Sequence, residues 1–423
     1  SELPIQRLVP GAKVYIPLLQ HLGKACQPRV LVGDLVTLGQ KIATAEAHVF
    51  SPVHASVSGK VAAIQEWPHP SSGRAKAIVI ENDGKDSVGA EKTRHQEDIN
   101  KLSAEEIRNI VFESGIVGMG GASFPTHIKL APPNPVDTLI INGAECEPYL
   151  TADSRLMIEK TEGIIKGIEL VIRCLGVKNV IIAIEENKPE AIKLIRGGAA
   201  ARGYGVEVLE SQYPQGGEKQ LIKNVLAKEV PSGKLPFDVG VVVHNVATIF
   251  AIYEAVYLNK SLYERVVTVT GSCLSNPKNL LVRIGTPFKD LIDFCGPLKQ
   301  KCLKVIAGGP MMGIAQYTLD VPVIKSTNGV LLLTRDEVAE QVEEFCIRCG
   351  RCVRDCPSSL LPCLISLASE RENWELAGHY NVGDCIECGS CAYVCPAKRN
   401  MVQHMKEAKF MIEHPIARNK GDV

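Results

Sequence analysis

The chain has 423 residues, is 45 % hydrophobic and 22 % charged, and carries 47 basic against 47 acidic side chains, a formal net charge of zero. That length supports several domains with their own cores, and the balanced charge excludes the basic footprint of a nucleic-acid binder. No stretch approaches the roughly 18 uninterrupted apolar residues of a spanning helix, and nothing at the N-terminus reads as a signal peptide. The most apolar region, 239–258, is broken by His244, Asn245 and Glu254.

Residues 1–90 read as short β-strands at 30–34, 36–40, 42, 51–61 and 77–80. The run from Val32-Gly33-Asp34 to Gln40, followed by Ser51-Pro52 and Val57-Ser58-Gly59-Lys60-Val61, resembles the barrel of biotinyl and lipoyl carrier domains. A carrier needs a lysine at the hairpin tip. Residues 45–49 offer only Glu46 and His48 as polar candidates, so a structural barrel is expected, not a swinging arm. The polar stretch 84–100 reads as a linker. Ser103 and Glu106 form a capping box that opens a helix.

From there the signals alternate as in an α/β domain. Strands are expected at 138–142, 180–184, 205–209 and 239–244, and helices at 155–175, 188–202, 218–227 and 248–258. This predicts a mostly parallel sheet with helices on its faces. Residues 266–271 open a β-rich unit with one helix at 287–294, which suggests a β-grasp module. Further β structure follows at 305–333, with a turn at 308–313 whose Met311 and Met312 are expected to pack. Beyond residue 336, helices are expected at 361–369 and 373–377. A last helix should place Met401, Met405, Ala408 and Ile412 on one face, docked on the core or on a partner.

Eight of the fifteen cysteines form two copies of one pattern, offset by 39 residues: Cys346, Cys349, Cys352 and Cys356-Pro357, then Cys385, Cys388, Cys391 and Cys395-Pro396. This is the spacing of the two-cluster bacterial ferredoxin, in which the fourth cysteine of each run ligates the other cluster. Cys346, Cys349, Cys352 and Cys395 are therefore expected on one [4Fe–4S] cluster, and Cys385, Cys388, Cys391 and Cys356 on the second. Zinc sites usually use two short pairs per ion and fit the pattern poorly. The other seven cysteines (26, 146, 174, 273, 295, 302 and 363) are scattered. They read as small buried hydrophobes of a protein in a reducing compartment.

The second strong feature is a glycine loop, from Gly115 through Gly118, Gly120, Gly121 and Phe124 to Lys129. Glycines let backbone N–H groups approach a phosphate or a flat ring. The loop is neither a Walker A loop nor a dinucleotide fingerprint, and taken alone it is equally a plain tight turn. Three segments accompany it: Asn142-Gly143-Ala144-Glu145-Cys146-Glu147, Tyr213-Pro214-Gln215-Gly216-Gly217-Glu218, and His244-Asn245-Val246-Ala247-Thr248. The last joins a strand to a helix N-terminus, a natural anion site.

Together these four segments resemble the flavin and NADH site of the flavoprotein subunit of respiratory complex I and its relatives. Those include the RnfC proteins of the Rnf complex and the cobalamin reductase PduS. A barrel ahead of the flavin domain, with a β-grasp module and two ferredoxin motifs behind it, is most similar to the RnfC family, over nearly the whole chain. The sodium-pumping quinone reductase subunit NqrA lacks the ferredoxin cysteines and matches poorly.

The resemblance implies a multidomain α/β protein. Its parts would be a barrel-sandwich domain at 1–90, a Rossmann-like FMN and NADH domain at 100–262, a β-grasp (SLBB-type) module at 263–335 and a two-cluster ferredoxin domain with a C-terminal helix at 336–423. It implies that Gly118, Gly120, Gly121 and Lys129 contact FMN, and that Asn142, Glu145 and Glu147 line the flavin. Gly216 and Glu218 would form the far wall, Asn245 and Thr248 would hold the FMN phosphate, and Phe124 would stack on the nicotinamide side. The chain departs from complex I members at Met119, Ala144 and Gly217, where they carry a base and two acids that shape the nucleotide pocket. Cys146 has no activating base for a catalytic thiol, and His127 and His244 read as turn or core histidines. NADH as substrate, FMN and two [4Fe–4S] clusters are the implied redox groups. The implied partners are membrane subunits and, through the complex, ferredoxin. The implied location is peripheral, on the cytoplasmic face of the membrane. A soluble cobalamin reductase and an electron-wiring module without a working flavin site are the alternatives.

Overall fold

The computed structural model describes residues 3–89, 96–338 and 342–414. The chain divides into two compact units, residues 1–229 with 236–338, and residues 230–235 with 339–423. Each is described by itself.

The larger unit begins with two small sheets around one core. Lys13–Pro17, Gly73–Asn82, Gly59–His69 and Leu35–Val36 form the first, and Gln27–Pro28, Lys41–Thr44 and Val53–His54 the second. Val14, Ile16, Ile42, Val53, Ile78 and Ile80 are fully buried between them. Residues 30–34, expected as a strand, are instead a turn. Asp34 takes the Leu31 N–H at 2.8 Å, and Gly33 has φ +102°, a conformation in which glycine avoids the Cβ clash. Leu31 and Val32 are consequently exposed. The expected linker also contains a helix, Gln96–Lys101, anchored by the buried Ile99 and by Arg173, which donates to the Ile99 carbonyl at 2.7 Å. The capping box is present: Glu106 N–H donates to Ser103 Oγ, and the Glu106 carboxylate accepts the Ser103 N–H at 2.7 Å.

Four parallel strands follow, in the spatial order Gly205–Leu209, Asn179–Glu185, Thr138–Asn142 and Val241–Asn245. The interiors of the three strands other than Gly205–Leu209 are rich in β-branched residues and mostly buried on both faces, as in a helix-covered parallel sheet. The helix expected over 155–175 is two, Ala152–Glu159 and Thr161–Leu175, broken at Lys160. There the Thr161 hydroxyl donates back to the Met157 carbonyl at 2.6 Å, a bond that competes with regular helix. The second helix crosses Val246–Leu258 closely: a Cβ at Gly167 would lie 2.3 Å from the Ile249 carbonyl.

A six-stranded mixed sheet completes the unit. Its order is Gln6–Arg7, Lys278–Arg283, Glu264–Thr270, Gly329–Leu333, Lys304–Ala307 and Ile314–Ala315. Phe288–Phe294 is its helix, with Phe288 and Leu291 fully buried in the sheet's core. Gln6–Arg7 pairs with this sheet and not with the barrel strands that follow it. The long barrel hairpin leans on the same module: Trp67 donates to the Asp320 carbonyl at 2.9 Å, and Tyr317 to the Gly73 carbonyl at 2.8 Å.

One buried cation joins these parts. Lys325 is 1 % exposed and donates to the Pro52 carbonyl at 2.7 Å, the Gly115 carbonyl at 2.6 Å and Ser51 Oγ at 3.4 Å. No carboxylate pairs with it among these contacts. Burial lowers its ammonium from 10.5 to about 7. His54, lowered to about 3, and His21, lowered to about 4, are kept neutral first by burial and then by Lys325.

In the smaller unit Met401–Glu413 packs on Pro362–Glu370 and Trp374–His379. Met401, Met405 and Ala408 are buried, whereas Ile412 is 42 % exposed. The cysteine repeat is also a conformational repeat. Arg348, Gly350 and Ser359 have positive φ, as do Glu387, Gly389 and Lys398, each 39 residues later.

Lys325 binds its proton more weakly folded than unfolded. The unfolded chain therefore holds more protons between about pH 7 and 10.5, and stability rises with pH across that window. The full contribution is about 1.4 kcal/mol per pH unit. Lys325→Met should flatten this rise in chemical-denaturation profiles recorded from pH 7 to 9. An unchanged slope would mean that the ammonium is not buried as described.

Candidate cofactor sites

In an open α/β sheet, ligands bind beyond the carboxyl ends of the strands where strand order reverses. Here the chain runs outward from Thr138–Asn142 through Asn179–Glu185 to Gly205–Leu209, then returns to the other side as Val241–Asn245. The reversal lies between the first and last of these strands, and Asn142 and Asn245 are register partners at their ends.

Both asparagines organise the loops around them. Asn142 Nδ2 donates to the Gly216 carbonyl at 2.9 Å, and its Oδ1 accepts from Ala144 N–H at 3.0 Å. A Cβ on Gly216 would fall 2.6 Å from the Ala144 carbonyl, so these segments meet at a spacing only glycine allows. Asn245 Oδ1 accepts from Ala247 N–H at 2.9 Å, capping the helix Val246–Leu258. Its Nδ2 donates to Asp153 Oδ2 at 2.6 Å.

The glycine loop closes over this end. Gly118 N–H donates to the Phe124 carbonyl at 2.8 Å, and Val117 bridges Pro125, leaving Gly120 and Gly121 exposed at the tip. Met119 N–H donates to Thr248 Oγ1 at 2.9 Å, and a Cβ on Gly120 would approach Asn245 Cβ to 3.2 Å. The Met119 side chain is buried in the sheet's core. Its carbonyl accepts from Arg265 Nη2 at 3.4 Å. At the loop's far end Lys129 pairs with Glu218 at 2.5 Å. Its charge is thus already balanced, and together with burial it holds His244 well below its usual value.

The two acids behave differently. Glu145 is not a solvated loop acid. It accepts the N–H groups of Asp153 and Ser154 at 3.0 and 3.2 Å, at the start of the helix Ala152–Glu159. Burial first, and then the neighbouring Asp153 carboxylate, raise its pKa. Asp153 is also raised by burial, against the pull of Asn245 and Arg265. Glu147 turns toward the β-grasp module and accepts Met311 and Met312 N–H at 3.2 and 2.7 Å. Those methionines therefore contribute backbone, and Met312 is 51 % exposed, not packed. Burial pushes the Cys146 thiol up to about 11, far from an activated nucleophile.

The structure thus gathers Gly118, Gly120, Gly121, Asn245 and Thr248 at one corner, Asn142 with Gly216 at the next, and Lys129 with Glu218 at a third. Glu147 faces another loop, and Phe124 is half-buried. Asp153, Arg265 and Lys325 were not anticipated. Nothing local distinguishes Asp153 from an ordinary helix-start acid, and the two cations come from a different module. The residues fit a bound flavin nucleotide: Ser123 Oγ, Thr126 Oγ1 and His244 Nε2 are buried without partners among the described residues, beside a loop tip that lacks side chains. A cavity of about 570 Å³ shares Met119, Asp153, Ala247 and Arg265 with the crevice and continues past Phe250, Glu254 and Lys260.

In the smaller unit Cys356, Cys385, Cys388 and Cys391 line one cavity. Burial, and then Cys385, Cys388 and Cys356 as neighbours, push the Cys391 thiol up to about 12. Cys352 is raised to about 11 by burial, by Cys363 and by Cys395. Cys356, the fourth cysteine of the first run, therefore sits with the second run's trio, and Cys395 lies beside Cys352 of the first. Four thiolates crowded in this way repel one another and fit a cationic iron–sulfur core, which reverses that logic. Backbone N–H groups already point at the sulfurs, Leu360 to Cys356 and Glu387 to Cys385, both at 3.4 Å. Cys363, scattered in sequence, is a further thiol beside this set.

Known families match four segments of the chain. Residues 1–85 match the RnfC barrel sandwich hybrid domain, 111–254 the Nuo51 FMN-binding domain, 266–315 the SLBB domain and 339–396 the 4Fe-4S dicluster domain. The fold is similar to the crystal structure of an NAD+-reducing [NiFe]-hydrogenase in the air-oxidized state. That likeness has a TM-score of 0.52 and 18 % identity over 74 % of this chain and 65 % of that one. The C component of the Na(+)-translocating ferredoxin:NAD(+) oxidoreductase complex of Acetobacterium woodii is 45 % identical over 97 % of this chain and 93 % of its own length. The corresponding component of the proton-translocating ferredoxin:NAD(+) oxidoreductase complex of Clostridium ljungdahlii is 48 % identical over 94 % of this chain and 87 % of its own length. With these identities along nearly its full length, the chain belongs to the RnfC family of ion-translocating ferredoxin:NAD+ oxidoreductase (Rnf) complexes.

Proposed function

We propose that this protein passes electrons between NADH, an FMN held at the sheet's reversal point, and two [4Fe–4S] clusters. It would exchange them with membrane subunits and, through the complex, with ferredoxin. It would sit peripherally on the cytoplasmic face of the membrane, since no described helix is long and apolar enough to cross one. The observation that carries this reading is the pairing of Asn142 with Asn245 at the reversal point, under a glycine loop, in a chain that also gathers Cys356 with Cys385, Cys388 and Cys391.

Bound FMN supplies the conversion between the two electrons of a hydride and the single electrons that iron–sulfur clusters accept. The chain's own residues place it. Gly120 and Gly121 let the loop backbone approach a ring or phosphate. The N-terminus of Val246–Leu258 offers N–H groups and a positive dipole end to an anion. Thr248 Oγ1 accepts from Met119 there and still has its own proton to donate. At the crevice wall Arg265 opposes the burial of Asp153, while burial and the Asp153 carboxylate favour the protonated form of Glu145. The eight cysteines would ligate the clusters as thiolates, with the crossed assignment Cys346, Cys349, Cys352, Cys395 and Cys385, Cys388, Cys391, Cys356.

The buried Met119, with Ala144 and Gly217, leaves the crevice without the base and the acids that complex I members carry. A wiring role without a working flavin site is therefore the competing reading.

Protein reconstituted anaerobically with iron, sulfide and FMN should bleach in the flavin bands and then in the broad iron–sulfur shoulder when NADH is added. Clusters that respond to dithionite in a protein retaining no FMN would establish the wiring role instead. Gly216→Ala should weaken FMN binding at least tenfold in fluorescence titrations while leaving the circular dichroism spectrum intact, because its Cβ forces the two loops apart. Asn245→Ala should cost about 1 kcal/mol of stability through the lost helix cap and weaken FMN binding as well. Wild-type affinity in both variants would remove the flavin from this crevice.

A further inference from the structure

The duplicated cysteine motif allows comparison position by position, because left-handed backbone recurs at the same offsets in both copies. One of the positions that differ is buried in both copies. Four residues after the last cysteine of the first run stands Leu360, and four after that of the second stands Arg399. Since the fourth cysteines cross over, Leu360 belongs to the second cluster, whose cavity it lines, and Arg399 to the first.

Arg399 is 4 % exposed. Its Nη2 pairs with Glu370 at 2.5 Å and donates to Ser366 Oγ at 3.1 Å, and its Nη1 lies 3.8 Å from Glu343. Its Nε–H is buried and has no partner among the described residues. The strand of chain that carries Cys346 runs alongside. Glu344 N–H donates to the Ala397 carbonyl at 3.0 Å, and the Glu343 carboxylate accepts from Asn400 N–H at 3.3 Å and Nδ2 at 2.8 Å. Cys346 is accordingly among the charges that act on Arg399. A buried donor left unpaired costs about 1–3 kcal/mol, and a cluster sulfur is the acceptor this position lacks.

We infer that Arg399 donates its Nε–H to a sulfur of the cluster held by Cys346, Cys349, Cys352 and Cys395, and so raises the reduction potential of that cluster. The inference rests on the two-cluster reading above. Reduction adds one electron to a cluster that already bears the charge of four thiolates, so a hydrogen bond to its sulfur favours the reduced form and raises the potential. Local charge differs between the two runs as well: the first carries Arg348, Arg351 and Arg354 where the second has Glu387, Ser390 and Tyr393. Glu370 and Glu343 offset the guanidinium, and Lys409, which donates to the Cys385 carbonyl beside the second cluster, is offset by Glu387 at 2.8 Å. What Arg399 adds to the first cluster is one directed side-chain N–H, whereas at the second the backbone N–H of Leu360 donates to Cys356 and that of Glu387 to Cys385.

The test is a redox titration of the full reconstituted chain followed by EPR, comparing wild type with Arg399→Lys and Glu370→Gln. A Cys346→Ser variant, whose altered signal marks the first cluster, assigns the titrations. Arg399→Lys keeps the charge and removes the planar donor. It should lower the potential of the first cluster by about tenfold in its one-electron equilibrium, about 59 mV, and leave the second unmoved. Glu370→Gln keeps the donor, frees the guanidinium charge and should shift the same cluster upward. If Arg399→Lys fails to assemble clusters, the upward shift in Glu370→Gln carries the test. Intact clusters whose potentials match wild type in both variants, or a shift confined to the second cluster, would overturn the role of Arg399. A wild-type chain that takes up no iron or sulfide would instead defeat the two-cluster reading itself.

Discussion

A buried ammonium without a carboxylate must find carbonyls, and the chain must bring them to it. Lys325 meets this demand by drawing the barrel at Ser51-Pro52 and the start of the glycine loop at Gly115 onto one point of the β-grasp module. Its own carbonyl accepts from Arg265, which also holds the Met119 carbonyl. The first part of the loop proposed to receive a flavin is thus held at Gly115 and at Met119 by cations from another part of the chain. This explains why a barrel with no carrier lysine and a β-grasp module accompany the nucleotide fold: they set the position of the loop.

The alternating strands and helices of the parallel sheet were legible because their periodicity is local and their turns carry glycine and asparagine. The strand at 205–209 falls where the pattern places it, and the capping box at Ser103 forms as its chemistry requires. What the sequence could not convey is non-local. The strand Gln6–Arg7 has no pattern of its own and exists only because Lys278–Arg283 offers an edge. The turn at 30–34 reads as apolar until Asp34 and Gly33 are seen to close it. Ile99 is a single apolar residue in a charged stretch, too little for a periodic signal, yet its burial holds a helix.

The candidate sites divide along the same line. Eight cysteines at fixed spacing imply a ligation scheme from the sequence, and left-handed residues recur with them at the same offsets in both copies. Cys363 and Arg399 stay hidden because a lone cysteine or arginine carries no spacing. In the crevice Asn142 and Asn245 were marked by their place at strand ends. Glu147 was marked equally, yet it turns to the backbone of Met311 and Met312, because nothing in its own segment says which loop will lie opposite.

The departure at residue 119 follows from the same architecture. Complex I members carry a base at this position of the loop. Here the side chain is an apolar one buried in the core, and a positive charge reaches the loop from Arg265, which binds the carbonyl of that same residue. Burial lowers this guanidinium to about 10, and Asp153 opposes the shift, so it is charged at neutral pH. A cation on a mobile loop side chain can swing to its ligand, whereas one held behind the loop acts through the backbone and through Asp153 and Asn245. The loop then presents N–H groups and no side-chain charge of its own at its tip. That arrangement suits an anionic phosphate placed by helix and backbone, and it assigns the tuning of the crevice to the β-grasp module.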